Sequence, residues 1–146
     1  MNKRIQGKRN RAKGEIGELI ASRALNRLGY KYIRRIHTPW RIHRVKGRIV
    51  SATPMEAVGG DFRAVGPDGI SVLAEVKMRD TETLTYSTLE QHQRASLYEH
   101  HEAGGLSLLI WVHQRIAYVM CWPIEGFKPR SSIKIEDAKD LQKTLT

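Results

Sequence analysis

Cysteine occurs once in these 146 residues, at Cys121, so no disulfide can close within the chain and no cysteine-based zinc site can be assembled. Between Met120 and Trp122 in an apolar run, this thiol is expected to be packed rather than nucleophilic. Long hydrophobic runs are also missing. None reaches the roughly 20 residues of a membrane span, and the charged start, apolar middle and small-residue end of a signal peptide are not found. The expectation is a soluble, cytosolic chain that does not partner a membrane. Internal repeats and low-complexity stretches are absent as well, and the length suits one folded domain rather than two.

Acidic residues are scarce where basic ones are dense. The first 48 residues hold 15 of the 25 Lys and Arg but only two of the 15 acids, Glu15 and Glu18. The net charge of +10 and a pI near 10.0 point to a polyanionic partner, because cations that neutralise phosphates release condensed counterions. Residues 1–12, with Lys3, Arg4, Lys8, Arg9 and Arg11, carry almost no large apolar side chain and are expected to form a mobile basic arm ahead of a folded domain spanning 13–146. Lys13 continues that basic run.

Apolar residues at Ile16, Leu19, Ile20, Ala24 and Leu28 recur at helical spacing, with Gly29 as terminator, which predicts a helix over 14–28. Tyr30 to Ile36 reads as a strand, and Trp40 to Ala52 as two short extended runs around Lys46-Gly47. The latter segment carries Arg41, Arg44, Lys46 and Arg48 and suits a basic hairpin that contacts nucleic acid. Asp61–Val65, the turn Gly66-Pro67-Asp68-Gly69 and Ile70–Met78 form the clearest hairpin. A second helix over 88–103 is expected, opened by a capping box of Ser87 and Glu90 and closed by Gly104-Gly105. Two apolar strands, 106–112 and 116–122, are followed by a loop and a short amphipathic helix.

The chemistry centres on Asp61 and on Glu75-Val76-Lys77. Alternation along a strand puts Glu75 and Lys77 on one face and Val72, Ala74 and Val76 on the other. The hairpin returns Asp61 to the neighbourhood of Glu75, so two carboxylates can converge on one cation. A four-residue loop would pair Asp61 with Ala74 and aim it at the wrong face, which predicts a bulge or kink near Gly59-Gly60. Phosphodiester hydrolysis needs a hard cation that polarises the phosphoryl oxygen and lowers the pKa of the attacking water. Asp61 and Glu75 are the candidate ligands, with the Val76 carbonyl as a further donor and Lys77 as the group that orients water or stabilises developing charge. Gln93 falls in the core-facing stripe of the second helix with Leu89, Ser96 and Leu97 and needs a polar partner there. Glu18 is preferred over Glu15 as an additional carboxylate, because it lies closer to the apolar face of its helix.

In order along the chain, a helix glutamate, Thr38-Pro39-Trp40, Gly60-Asp61-Phe62, Ala74-Glu75-Val76-Lys77, Leu89 with His92-Gln93, and Gly104-Gly105 resemble the RecU-type Holliday junction resolvases over about residues 13–122. Lys13-Gly14 followed by Glu18 is also similar to archaeal resolvases of the same superfamily. The resemblance implies a restriction-endonuclease-like PD-(D/E)XK fold, a mixed central sheet flanked by helices with a basic stalk at 38–58. It implies Mg2+ dependence with Mn2+ as substitute, a homodimer, and paired nicks across four-way DNA that leave 5′-phosphate and 3′-hydroxyl ends. Asp61, Glu75 and Lys77 match the core motif, and Gln93 the glutamine after it. A nuclease of the same fold with another DNA target, and a basic nucleic-acid-binding module without catalysis, are the competing readings.

Overall fold

Lys, Arg, Gln, Glu, Leu and Ala lose little side-chain freedom in a helix, and they make up most of the first 27 residues. In the computed structural model, which describes residues 3–37, 39–54 and 59–142, the chain is accordingly helical from the first described residue as α1 (Lys3–Arg27). The basic segment expected as an arm is thus the opening of this helix from Lys3 onward, and no break falls at residue 12. Its lack of apolar residues reflects a turn-by-turn exposure to solvent, not a lack of helix. Gly29, at φ +88°, ends the helix as expected, and the Tyr30 N–H reaches back to the Leu25 carbonyl at 3.1 Å.

After α1 come β1 (Lys31–Arg35), β2 (Trp40–Val45), β3 (Arg48–Pro54), β4 (Phe62–Val65), β5 (Ser71–Met78) and β6 (Thr83–Thr85). A 3-10 turn at Tyr86–Thr88 leads into α2 (Gln91–Glu102), then β7 (Leu106–His113), β8 (Ile116–Trp122), β9 (Ser132–Lys134) and α3 (Ile135–Gln142). The central sheet runs β1-β4-β5-β7-β8. It is mixed, because β5 and β7, joined through α2, are parallel while every other neighbouring pair is antiparallel. The chain is therefore α/β with helices on both faces.

Both sides of the inner strands are covered, so they read as nearly continuous apolar runs. Val72, Ala74, Leu108 and Ile110 meet Ala21, Ala24 and Leu25 of α1 on one side. Leu73, Leu109 and Trp111 meet Leu97, Leu84 and Ile135 on the other. The face that α1 buries differs from the expected stripe: Gly17, Ala21, Ala24 and Leu25 are buried, whereas Ile16 and Leu19 are exposed. Small residues win this position because the helix lies close on the sheet, where a Cβ at Gly17 would stand 3.0 Å from that of Met78.

The strands β2 and β3 form a separate hairpin with a turn at Lys46 (φ +50°) and Gly47 (φ +75°), as the sequence suggests. Trp40, Ile42 and Ile49, all more than half exposed, share one side of it with Arg44, and Arg41, His43 and Arg48 share the other with Val45. Thr38 and residues 55–58 of the expected stalk lie outside the described residues. The pairing of β6 with β9 has no local signal, since each strand has three residues and the two lie about fifty positions apart.

Candidate active site

Just before β4 begins, a side chain takes the place of the sheet. Five residues, not four, connect β4 and β5, so Val65 faces Ser71 and Phe62 faces Ala74. Asp61 thereby falls opposite Glu75 and shares its face, and the bulge expected to correct the pairing is not formed between these strands. The Asp61 N–H still bonds the Ala74 carbonyl at 2.7 Å. One step further, the Val76 N–H is met by Asp61 Oδ2 at 2.7 Å instead of by a strand. The N–H and C=O of one strand residue point to the same side, so the Val76 carbonyl is directed there too.

The expected irregularity at Gly60 does exist, as a positive φ of +88°, but it serves another purpose. It aims the Gly60 N–H at Glu75 Oε2, 3.1 Å away. A Cβ at Gly60 would lie 2.5 Å from Leu73 Cδ1. Gly60→Ala is therefore expected to destabilise the fold by about 2–4 kcal/mol, from left-handed strain and overpacking together, read as a lowered denaturant midpoint; an unchanged midpoint would refute this packing account.

Glu75 is only 2% exposed. Its Oε1 is 3.2 Å from Lys77 Nζ, and that ammonium donates to Gln93 Oε1 at 2.9 Å. The same amide oxygen accepts the Glu90 N–H at 2.8 Å. Glu90 and Gln93 thus form the capping box of α2, replacing the expected Ser87 and Glu90, because the 3-10 turn delays the helix by three residues. One glutamine oxygen closes the helix end and fixes the lysine.

Burial raises the pKa of both carboxyls. For Glu75 the loss of solvent acts first and the neighbouring Asp61 charge second, against the pull of Lys77, and together they bring it to about 7. Asp61 is raised by burial as well, opposed by the Val76 N–H and by Lys77. Such a pair fits a hard divalent cation: two oxygen donors face each other at a cost in repulsion that positive charge would relieve, with a backbone carbonyl beside them. Among the described residues, no three His, Cys, Asp or Glu side chains gather into a metal-binding group.

Glu18 stands across a cleft of about 760 Å3 that also exposes Val76, Lys77 and Met78. It pairs with Arg35 at 2.7 Å, and its pKa is raised chiefly by burial, with Arg35 opposing and Asp61 adding to the shift. Glu15 is exposed on the helix, so Glu18 is the glutamate that α1 turns toward the site. Sequence reasoning missed Arg35 and the Gly60 amide, since neither belongs to a local pattern: one is placed by the packing of α1 on β1 and the other by β-sheet register.

The basic residues are separated into two groups. Lys8, Arg9, Arg11 and Lys13 are exposed along α1, where Lys13 is 3.6 Å from Asp80. Arg41, Arg44, Lys46 and Arg48 are exposed on the β2–β3 hairpin. Among the described residues no helix is long and apolar enough to cross a membrane.

Fold and site together define an α/β protein with a mixed central sheet and, where β4 meets β5, a buried Glu75 flanked by the half-buried Asp61 and Lys77. Comparison of the sequence with models of known protein families and with curated proteins gives no match.

Proposed function

We propose that this chain is a divalent-metal-dependent DNA endonuclease of the PD-(D/E)XK type that nicks four-way junctions, as the RecU-type resolvases do. The observation that carries this reading is the placement of Asp61 opposite Glu75, with Lys77 on the same face and anchored by Gln93. Magnesium, or manganese in its place, would be held by Asp61, Glu75 and the Val76 carbonyl. When bound, it supplies Lewis acidity toward a phosphoryl oxygen and a lowered pKa for the attacking water. Lys77 remains within reach of the phosphate to stabilise developing charge, and Gln93 keeps its ammonium in place. Glu18, across the cleft, supplies a further carboxylate toward water.

The two basic surfaces hold the DNA by phosphate contacts, which position a duplex without reading its sequence. The exposed apolar side chains Trp40, Ile42 and Ile49 on one side of the hairpin support a homodimer, because a two-stranded hairpin is marginal in water unless one face is covered. Two subunits would place two sites on opposed strands for paired nicks.

A labelled four-way junction and a duplex of the same length, incubated with the protein in Mg2+ or Mn2+ at equal salt, test this directly. Symmetric nicks confined to the junction are expected. Cutting of both substrates would keep the nuclease and remove the junction preference, whereas binding without cutting under either metal would leave only a basic DNA-binding module.

A further inference from the structure

A second groove of about 590 Å3 adjoins the cleft beside Lys77, and the two share Lys13, Met78 and Asp80 in their walls. Beyond Asp80 the second groove is bordered by Arg9 and by Arg115 of the β7–β8 turn. That turn is formed by Gln114 (φ +47°) and Arg115 (φ +64°), where Gly or Asn would be unstrained. The Gln114 N–H is bonded to Asp80 Oδ1 at 2.9 Å, and Asp80 is also the partner of Lys13. The single acid in the middle of the groove is thus engaged by the protein itself. The arginines on either side, Arg9 and Arg115, remain exposed to solvent.

We infer that these two grooves form one track for a DNA backbone, in which Arg115 is a positioning residue that holds a phosphate several nucleotides away from the bond being cut. The inference rests on the nuclease reading of the Asp61–Glu75 site and adds to it the path of the bound strand. From Glu75 to Asp80 the chain advances five residues, at most roughly 17 Å, equivalent to about five nucleotide steps of roughly 3.4 Å. Asp80 therefore lies at most about five steps from Glu75 along the track, and Arg115, on the turn bonded to Asp80, holds a phosphate in that neighbourhood. The left-handed turn has a physical rationale: a tight reversal tied to Asp80 holds the arginine at the groove wall, at the expense of some backbone strain.

The test is binding, measured in an Asp61→Asn background so that no cutting intervenes. Affinity for a four-way junction is determined across a salt series for that protein and for versions adding Arg115→Asn, Arg115→Lys or Arg130→Asn. Asparagine tolerates the left-handed region, and Arg130, also at positive φ (+69°) but outside both grooves, is a matched control. Arg115→Asn is expected to weaken binding about five- to tenfold near 0.1 M salt and to reduce the salt slope by about one, while Arg130→Asn changes affinity less than twofold. Arg115→Lys should restore most of the loss. Equal effects at Arg115 and Arg130, or an unchanged slope at Arg115, would overturn the track. Absence of cutting by the unchanged chain would count against the nuclease reading alone, since the binding comparison does not depend on it.

Discussion

Replacing Asp61 with asparagine is expected to reduce nicking of a four-way junction by roughly 10³-fold or more, equivalent to about 4 kcal/mol of transition-state stabilisation, while junction affinity changes less than threefold. Asparagine keeps an oxygen for the Val76 N–H, which Asp61 Oδ2 now accepts at 2.7 Å, so the end of β4 should remain in place. The raised pKa of Asp61 shows that its surroundings disfavour the ionised carboxylate, and a neutral isostere should therefore fold at least as well. What the substitution removes is a charged oxygen donor at the point where two carboxylates face each other. Rates taken under single-turnover conditions, with affinity measured on the same preparations, separate the two effects. Retention of even a tenth of the activity would remove Asp61 from the metal site.

Glu75→Gln should produce an opposite pair of effects, a more stable protein that does not cut. The carboxyl is nearly fully buried and its pKa stands at about 7 against an ordinary value of 4.5. A raised acid pKa means that stability is fully present below about 4.5 and lost as pH rises through about 7. In metal-free buffer at pH 8 the unchanged chain has lost that contribution, whereas the glutamine variant, which does not ionise, has not. The shift sets an upper limit of about 3 kcal/mol, and the new amide N–H2 beside Lys77 offsets part of it. A net gain of about 1–2 kcal/mol is expected, several degrees in thermal midpoint for a domain of this size. At pH 5 the two proteins should melt together, and Mg2+ should raise the midpoint of the unchanged chain only. A variant that melts lower at pH 8 would show that the Gly60 and Lys77 contacts outweigh the burial of charge.

Both outcomes depend on a geometry that was only half legible in the sequence. The shared face of Glu75 and Lys77 follows from the two-residue period of a strand and appears as expected, as do the Lys46-Gly47 reversal and the helix stop at Gly29. Asp61 was recognisable as a candidate, but a loop counted one residue short aimed it at the wrong face, and the five-residue connection reverses that result. Gln93 stands out in the sequence as a polar residue in a core-facing stripe, yet its double contact with Lys77 and the Glu90 amide depends on where α2 begins. The 3-10 turn before that helix had no clear signature.

The basic surface shows the same division. Its charge and its two locations, on α1 and on the β2–β3 hairpin, are properties of composition and order along the chain. That residues 3–13 join one long helix, with Lys13 reaching Asp80, and that Arg115 borders the same groove could not be read from either segment alone.

By itself the sequence determined most of the longer strands and the approximate places of the helices, the alternation that sets Glu75 and Lys77 side by side, and the excess of positive charge, because these depend on residue type and on periods of a few positions. Only the tertiary structure decided which residue faces Glu75, which side of α1 is buried, that Arg35 meets Glu18, and that β6 pairs with β9. Those outcomes depend on strand register and on close packing between distant segments, where one residue in a loop or one methyl group on a helix face changes which arrangement has the lower free energy.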